Sequence, residues 1–168
     1  MSEWWTYSPS DFLLFSPRTH YRLFELYNES VWPAQLVALA VAAAILALAH
    51  RGGATAGRTI LGLLAGVWLW IAVVFHAERF AAINWAALYY AYAFAFQALL
   101  LLWVALVRPT VGVKSNGSFA GGAGLALFIF AVAIQPAVGP LLGRDWMQAE
   151  IFGLAPDPTT VATLGLLC

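Results

Sequence analysis

The chain has 168 residues, of which 62% are hydrophobic and 10% charged, and a mean hydropathy of +0.81. Soluble domains carry roughly 25% charged residues, so this composition excludes an ordinary water-solvated domain. Eight Lys/Arg balance eight Asp/Glu, which leaves no basic surplus for nucleic acid, and the single cysteine, Cys168, excludes an internal disulfide or a Cys-based zinc site.

Taken in order, the start MSEWWTYSPSD has acids and no cationic stretch, unlike a cleavable signal peptide. Ser16-Pro17 reads as a helix N-cap followed by proline at the first helical position. Tyr21, Phe24 and Tyr27-Asn28 then recur at helical spacing among Arg18, Arg22, Glu25 and Glu29, predicting an amphipathic segment within residues 1–30. Such a helix lies in the headgroup layer with its aromatics inward, or else caps the mouth of a bundle. A first span is expected over 33–50, opened by Trp32-Pro33, with Ala38/Ala42 and Ala40/Ala44 permitting close helix approach. RGGATAGR connects it to a second span over 59–76, which carries Gly62 and Gly66 on one face. Trp68 sits deep in that span, where its N–H needs a protein partner.

A third span is expected over 85–107. Trp85, Tyr89, Tyr92 and Phe96 form one stripe and Ala87, Ala91, Ala95 and Ala98 another, with Gln97 near mid-span. Gln97 requires an interhelical hydrogen bond or a substrate contact. A fourth span over 119–135 is short enough to continue through Gln135-Pro136 with a kink. The proline-rich run from Pro136 to Pro158 reads as a broken, surface-lying connection, and 157–168 as a partial fifth span, since its last ten residues make only about 15 Å of helix. The expectation is one all-α membrane domain over 1–168, an integral helical bundle of four transmembrane helices with an amphipathic N-terminal helix and a partial C-terminal segment.

Candidate chemistry concentrates between the second and third spans, where His76, Glu78, Arg79 and Asn84 fall within one short turn. Histidine suits proton exchange or ligation, and Glu78 has Arg79, Arg18 or Arg22 as pairing partners. His50 lies at the opposite end, whereas His20 reaches His76 if the first helix folds over the turn. Asn84-Trp85 also suits a cap of the third span, with the Asn side chain taking free backbone N–H groups. No Walker loop, GxSxG, HExxH or pair of intramembrane carboxylates is present. The candidate ligand-binding set is therefore His76, Glu78, Arg79, Asn84, Trp85, Tyr89, Tyr92 and Gln97, with His20 and Tyr21 above. It has no catalytic residue and no metal ligand.

The connections after spans one and three hold Arg51, Arg58, Arg108 and Lys114 without an acid, and all eight acids fall on the other side. Arg18, Arg22, Arg79 and Arg144 lie with the acids, so Lys and Arg divide four and four. Short loops weigh most in the positive-inside rule, and the two short, acid-free connections are therefore placed in the cytoplasm, with the N-terminus and the 76–84 turn outside.

WWTYSPSDFLLFSPRTHYRLFELYNESVWPAQ, FHAERFAAINWAA and GLAPDPTTVATLGLL together resemble one family of small bacterial multipass membrane proteins grouped as a domain of unknown function. The resemblance covers nearly the whole chain. It implies a bacterial inner-membrane protein in which further spans follow the last motif, and it brings no activity and no catalytic residue. The expected function is non-enzymatic binding or passage of a small apolar or aromatic molecule, with no cofactor. The alternatives are a redox subunit holding haem or quinone through His76 and His20, and a structural partner, homo-oligomeric or in a larger membrane complex, packing through Gly62/Gly66 and the alanine faces.

Overall fold

The computed structural model describes residues 16–108 and 119–167, so the first fifteen residues, the loop containing Lys114, and Cys168 lie outside it. The described residues form helices and turns without a strand. Helix α1 is Pro17–Ser30 and starts as its sequence dictates, with the Ser16 hydroxyl accepting from the Thr19 N–H at 3.2 Å. Its aromatic face packs into protein: Phe24 and Tyr27 are 2% and 1% exposed. The helix therefore sits over the bundle by its aromatic face.

Four helices are long and apolar enough to cross a membrane: α2 (Ala34–Arg51), α3 (Ala54–Ala82), α4 (Ala87–Val107) and α5, whose apolar stretch is Gly121–Leu141. The second is longer at both ends than the expected 59–76. Only Gly52 and Gly53, at φ 67° and 91°, are needed to turn the chain after α2, which frees Ala54 to Arg58 to join α3. Arg58 then donates from Nε to the Ala105 carbonyl at 2.9 Å and from Nη2 to the Leu106 carbonyl at 3.2 Å, satisfying acceptors that the end of α4 leaves open.

At its other end α3 becomes π-helical over Ile71–Arg79 and closes with a 3-10 turn, Phe80–Ala82. Helix α5 behaves similarly. Its α-helical part, Phe119–Ile129, passes through a π-helical stretch, Phe130–Ile134, into Gln135–Leu141. A proline at 136 removes one N–H and crowds the carbonyl four residues back. The wider π geometry immediately before it relieves that conflict, so the helix passes the proline instead of stopping at 135.

The largest departure from expectation follows α5. The run from Pro136 to Pro158 lies on the surface only in its first half, where Leu141, Leu142 and Trp146 are exposed. After a 3-10 turn, Trp146–Gln148, the chain enters the bundle, and Ala149, Phe152, Leu154 and Ala155 are all buried. The run's own Phe, Leu and Ile side chains make this insertion favourable, and its polar backbone finds partners described below.

Helix α6 (Pro156–Leu167) follows and packs along α5. It is only 12 residues long, about 18 Å of helix, and goes part-way into the bundle. Its buried polar groups are bonded locally: Thr159 and Thr163 hydroxyls donate to the carbonyls of Ala155 and Thr159 at 2.8 and 2.7 Å. The Trp68 indole N–H donates to the Thr163 hydroxyl at 3.0 Å, the protein partner its depth requires. Around this contact Ile45, Ile60, Leu64, Leu101, Phe128 and Phe152 form the main core.

Close approach of α6 to α5 depends on Gly165. A Cβ there would stand 2.5 Å from the Gly124 carbonyl oxygen and 3.0 Å from the Phe128 nitrogen, both backbone atoms. Gly62 and Gly66 behave differently, since nothing lies within 4 Å of a Cβ built on either. Gly165→Ala should therefore destabilise by about 1–3 kcal/mol through overpacking, and Gly66→Ala should not. Thermal unfolding in detergent measures both, and equal melting temperatures would refute the assigned packing.

Candidate functional site

The site is built where α1 crosses the ends of α3 and α4. Along α4, positions 87, 91, 98, 101 and 105 are buried and form one face at about 100° per residue. Small alanines there let α3 approach. Phe94 shares that face and Tyr90 flanks it. Trp85, Tyr89, Tyr92 and Phe96 fall on the opposite side and are exposed, Tyr92 by 71%.

The π-helical end of α3 presents two adjacent residues, Phe75 and His76, to the interior, 1% and 4% exposed. Phe75 stacks on Phe24 of α1 with ring centroids 5.2 Å apart and meets Tyr27 edge-on at 5.3 Å. His76 lies 4.7 Å from the Phe94 ring and 5.8 Å from Tyr90. His20, one turn before Phe24, meets that ring edge-on at 5.1 Å and Phe80 at 6.1 Å. These rings enclose part of a cavity of about 340 Å³, within the usual range for small-molecule sites. Its remaining wall is Glu150 from the inserted segment and Pro156, Asp157 and Thr160 from α6.

The inserted segment is held by α1. Asn28 Nδ2 donates to the Met147 and Ala149 carbonyls at 2.7 and 2.9 Å, and the Tyr27 hydroxyl donates to Leu154 O at 3.2 Å. The Trp70 indole N–H donates in turn to the Tyr27 oxygen at 3.0 Å. Burial pushes the Tyr27 phenol up to about 12, which keeps it the donor this arrangement needs. The Gly153 N–H is taken by the Thr159 hydroxyl at 2.8 Å.

The charged groups around the cavity are unevenly compensated. Arg144 lies 3.9 Å from Glu150 and 4.5 Å over the Tyr21 ring. It packs flat against Gly139, where a Cβ would come within 2.6 Å of its guanidinium carbon. Burial, then the nearby Asp157, raises the Glu150 carboxyl above its ordinary range, and Arg144 opposes this. Burial also lowers His20, with Asp157 pulling the other way.

His76 is the exceptional group. Among the described residues neither of its ring nitrogens has a hydrogen-bond partner, although an imidazole in either protonation state carries at least one N–H. Buried polar groups without partners cost about 1–3 kcal/mol, so His76 is held in the cavity wall at an energetic cost.

The structure thus brings His20 and His76 to one cavity, with Tyr21 nearby through Arg144. The other sequence candidates are placed elsewhere. Glu78 is exposed and makes no ion pair among the described residues, because Arg22 pairs with Glu25 within α1. Arg79 is half-buried with its Nε lacking an acceptor. Asn84 is buried in the turn before α4, where its Oδ1 accepts from the free Ala86 N–H at 3.0 Å; the N-cap of α4 is Ala86 and not Asn84, and it has no side-chain cap bond. Gln97 is half-buried and makes no hydrogen bond among the described residues, so the expected interhelical bond is not formed. Sequence reading missed Tyr90, Phe94, Glu150, Asp157 and Thr160. The alanine face of α4 could have located Phe94, while the others depend on the chain re-entering the bundle. Among the described residues no three His, Cys, Asp or Glu side chains form a metal-binding group.

If Asn28 carries the inserted segment, Asn28→Ala should cost about 1–3 kcal/mol by leaving two carbonyls unpaired. Amide exchange at residues 147–155 should accelerate selectively. Unchanged protection there would show that the two bonds do not hold the segment.

No curated protein matches the chain, and neither does any solved structure. A family model does match, over residues 18–168, which takes in α1, the cavity and α6. The chain belongs to the family of unknown function DUF6064.

Proposed function

We infer that the protein is a non-enzymatic, multipass bacterial inner-membrane protein that binds or passes a small, largely apolar or aromatic molecule in the cavity beneath α1. The observation that carries this reading is His76, 4% exposed, in a wall of aromatic rings and without a hydrogen-bond partner at either nitrogen among the described residues. The rings supply apolar surface and the imidazole supplies the one directional contact that fixes an otherwise featureless ligand. In the proposed orientation Arg51, Arg58, Arg108 and Lys114 face the cytoplasm, and α1 with the cavity faces the extracytoplasmic side.

Native mass spectrometry of protein released from mild detergent tests the reading. The wild type should carry a small-molecule adduct that His76→Phe loses while keeping its melting profile. Identical spectra for the two proteins would overturn it. A Soret band or extractable quinone in the wild type would replace it with the redox-subunit reading, and a co-purifying membrane protein in place of a small molecule would replace it with the structural one. A reporter fused at residue 80 should be extracytoplasmic, and a cytosolic signal would reverse the orientation.

A further inference from the structure

The cavity beneath α1 has a charge pattern that narrows its ligand class, an inference that rests on the ligand-binding reading above. Its lining includes two carboxylates, Glu150 and Asp157, and no Lys or Arg. Arg144, the cation beside it, stands outside the lining and is engaged with Glu150 and the Tyr21 ring. It therefore offsets one carboxylate. Asp157, exposed at the cavity rim, forms no ion pair among the described residues, and the group it attracts electrostatically in the lining is the His20 imidazole, which burial disfavours as a cation. Asp157 sits in the first turn of α6, where the helix dipole favours negative charge although Pro156 and Pro158 supply no N–H.

Around these acids stand Phe24, Phe75, Phe80, Tyr90 and Phe94. Aromatic faces present negative potential and attract cations. An anionic ligand would meet repulsion from both the acids and the rings. A wholly apolar ligand would leave the carboxylates desolvated without return. The lining offers a cation aromatic rings and acid oxygens, and His76, a buried imidazole without a partner among the described residues in the same wall, adds an acceptor for an N–H or hydroxyl when neutral.

We propose that the cavity binds a small organic ammonium, its cation held by Asp157, Glu150 and the aromatic faces, and its apolar body packed among the rings, with His76 completing the polar contacts. The Glu150 carboxyl is raised by its burial first and by Asp157 second, with Arg144 opposing, and a cation placed between the two acids would relieve the second of these. The ammonium chemistry has two sources, a free amine or the ethanolamine headgroup of a phospholipid.

The test is calorimetric titration of the full chain in maltoside detergent with 2-phenylethylammonium, 2-phenylethanol and phenylacetate near neutral pH, where the amine is protonated. The amine should bind at least about tenfold more tightly than the alcohol, and the carboxylate most weakly. Asp157→Asn should remove about tenfold of the amine's affinity and leave the alcohol's unchanged. Glu150→Gln provides the same comparison if the Asp157 variant unfolds. Equal affinity of wild type for amine and alcohol overturns the cation preference and leaves the apolar-ligand reading intact. Binding of none of the three, in wild type and in His76→Phe alike, overturns both. Repeating the amine titration in nanodiscs of phosphatidylglycerol with and without phosphatidylethanolamine separates the sources. Competition by phosphatidylethanolamine assigns the site to a lipid headgroup, and its absence assigns it to a free amine.

Discussion

Placing irregular backbone inside an apolar bundle is the constraint on which the rest of this structure depends. Residues 149–155 have no ladder or helix of their own to take up their N–H and C=O groups, and in such surroundings every unpaired group is costly. Turns within the segment take up some of them, with the Leu154 and Ala155 N–H groups both donating to the Ile151 carbonyl, and side chains of α1 and α6 take up others. Asn28 and Tyr27 donate to carbonyls of the segment, and Thr159 accepts from Gly153. Gly153, at φ 84°, lies so near α2 that a Cβ would be 3.1 Å from that of Ala38, so the small face of the first span also has its reason here.

These contacts couple three features that look separate in the sequence. Fixing the inserted segment on α1 sets the position of Glu150, and the turn that ends the segment directs α6 back into the bundle along α5. The same α1 face sends Phe24 onto Phe75, which stands beside His76 in the π-helical end of α3. The cavity is what these three elements leave between them, so its shape follows from the hydrogen bonds to the inserted backbone as much as from its own lining.

The apolar spans, the Ser16 cap, the partner for the Trp68 indole and the meeting of His20 with His76 at one site were legible in the sequence, because each follows from local pattern or from strand-free up-and-down connectivity. The inward face of α4 was also legible in principle. Alanine marked it at 87, 91 and 98, and the bulky stripe of Trp85, Tyr89, Tyr92 and Phe96 lies opposite, because a tight helix contact excludes large rings. What local pattern could not show was the return of residues 149–155 to the interior. Prolines at 136, 140, 156 and 158 signal breaks in helix, and a break at a surface looks the same in sequence as a break inside protein. The distinction lies in distant partners, Asn28 and Tyr27, more than a hundred positions away.

Two of the long helices pass through π-helical stretches, and the two cases have different physical origins. In α5 the stretch immediately precedes Pro136, and the proline ring is sufficient cause. In α3 no proline or glycine lies within Ile71–Arg79, so intrinsic backbone preference does not account for it. What that stretch accomplishes is side-chain placement, with Phe75 locking onto α1 while the neighbouring His76 enters the cavity wall. Rare helical geometry without a local sequence cause occurs most often at functional sites. Here it coincides with the buried imidazole whose two nitrogens find no partner among the described residues. An apolar residue at position 76 would pack as well without the polar penalty. The coincidence of irregular helix, buried imidazole and cavity is therefore what the proposed ligand-binding reading draws on, and packing alone gives no reason for a histidine at this place.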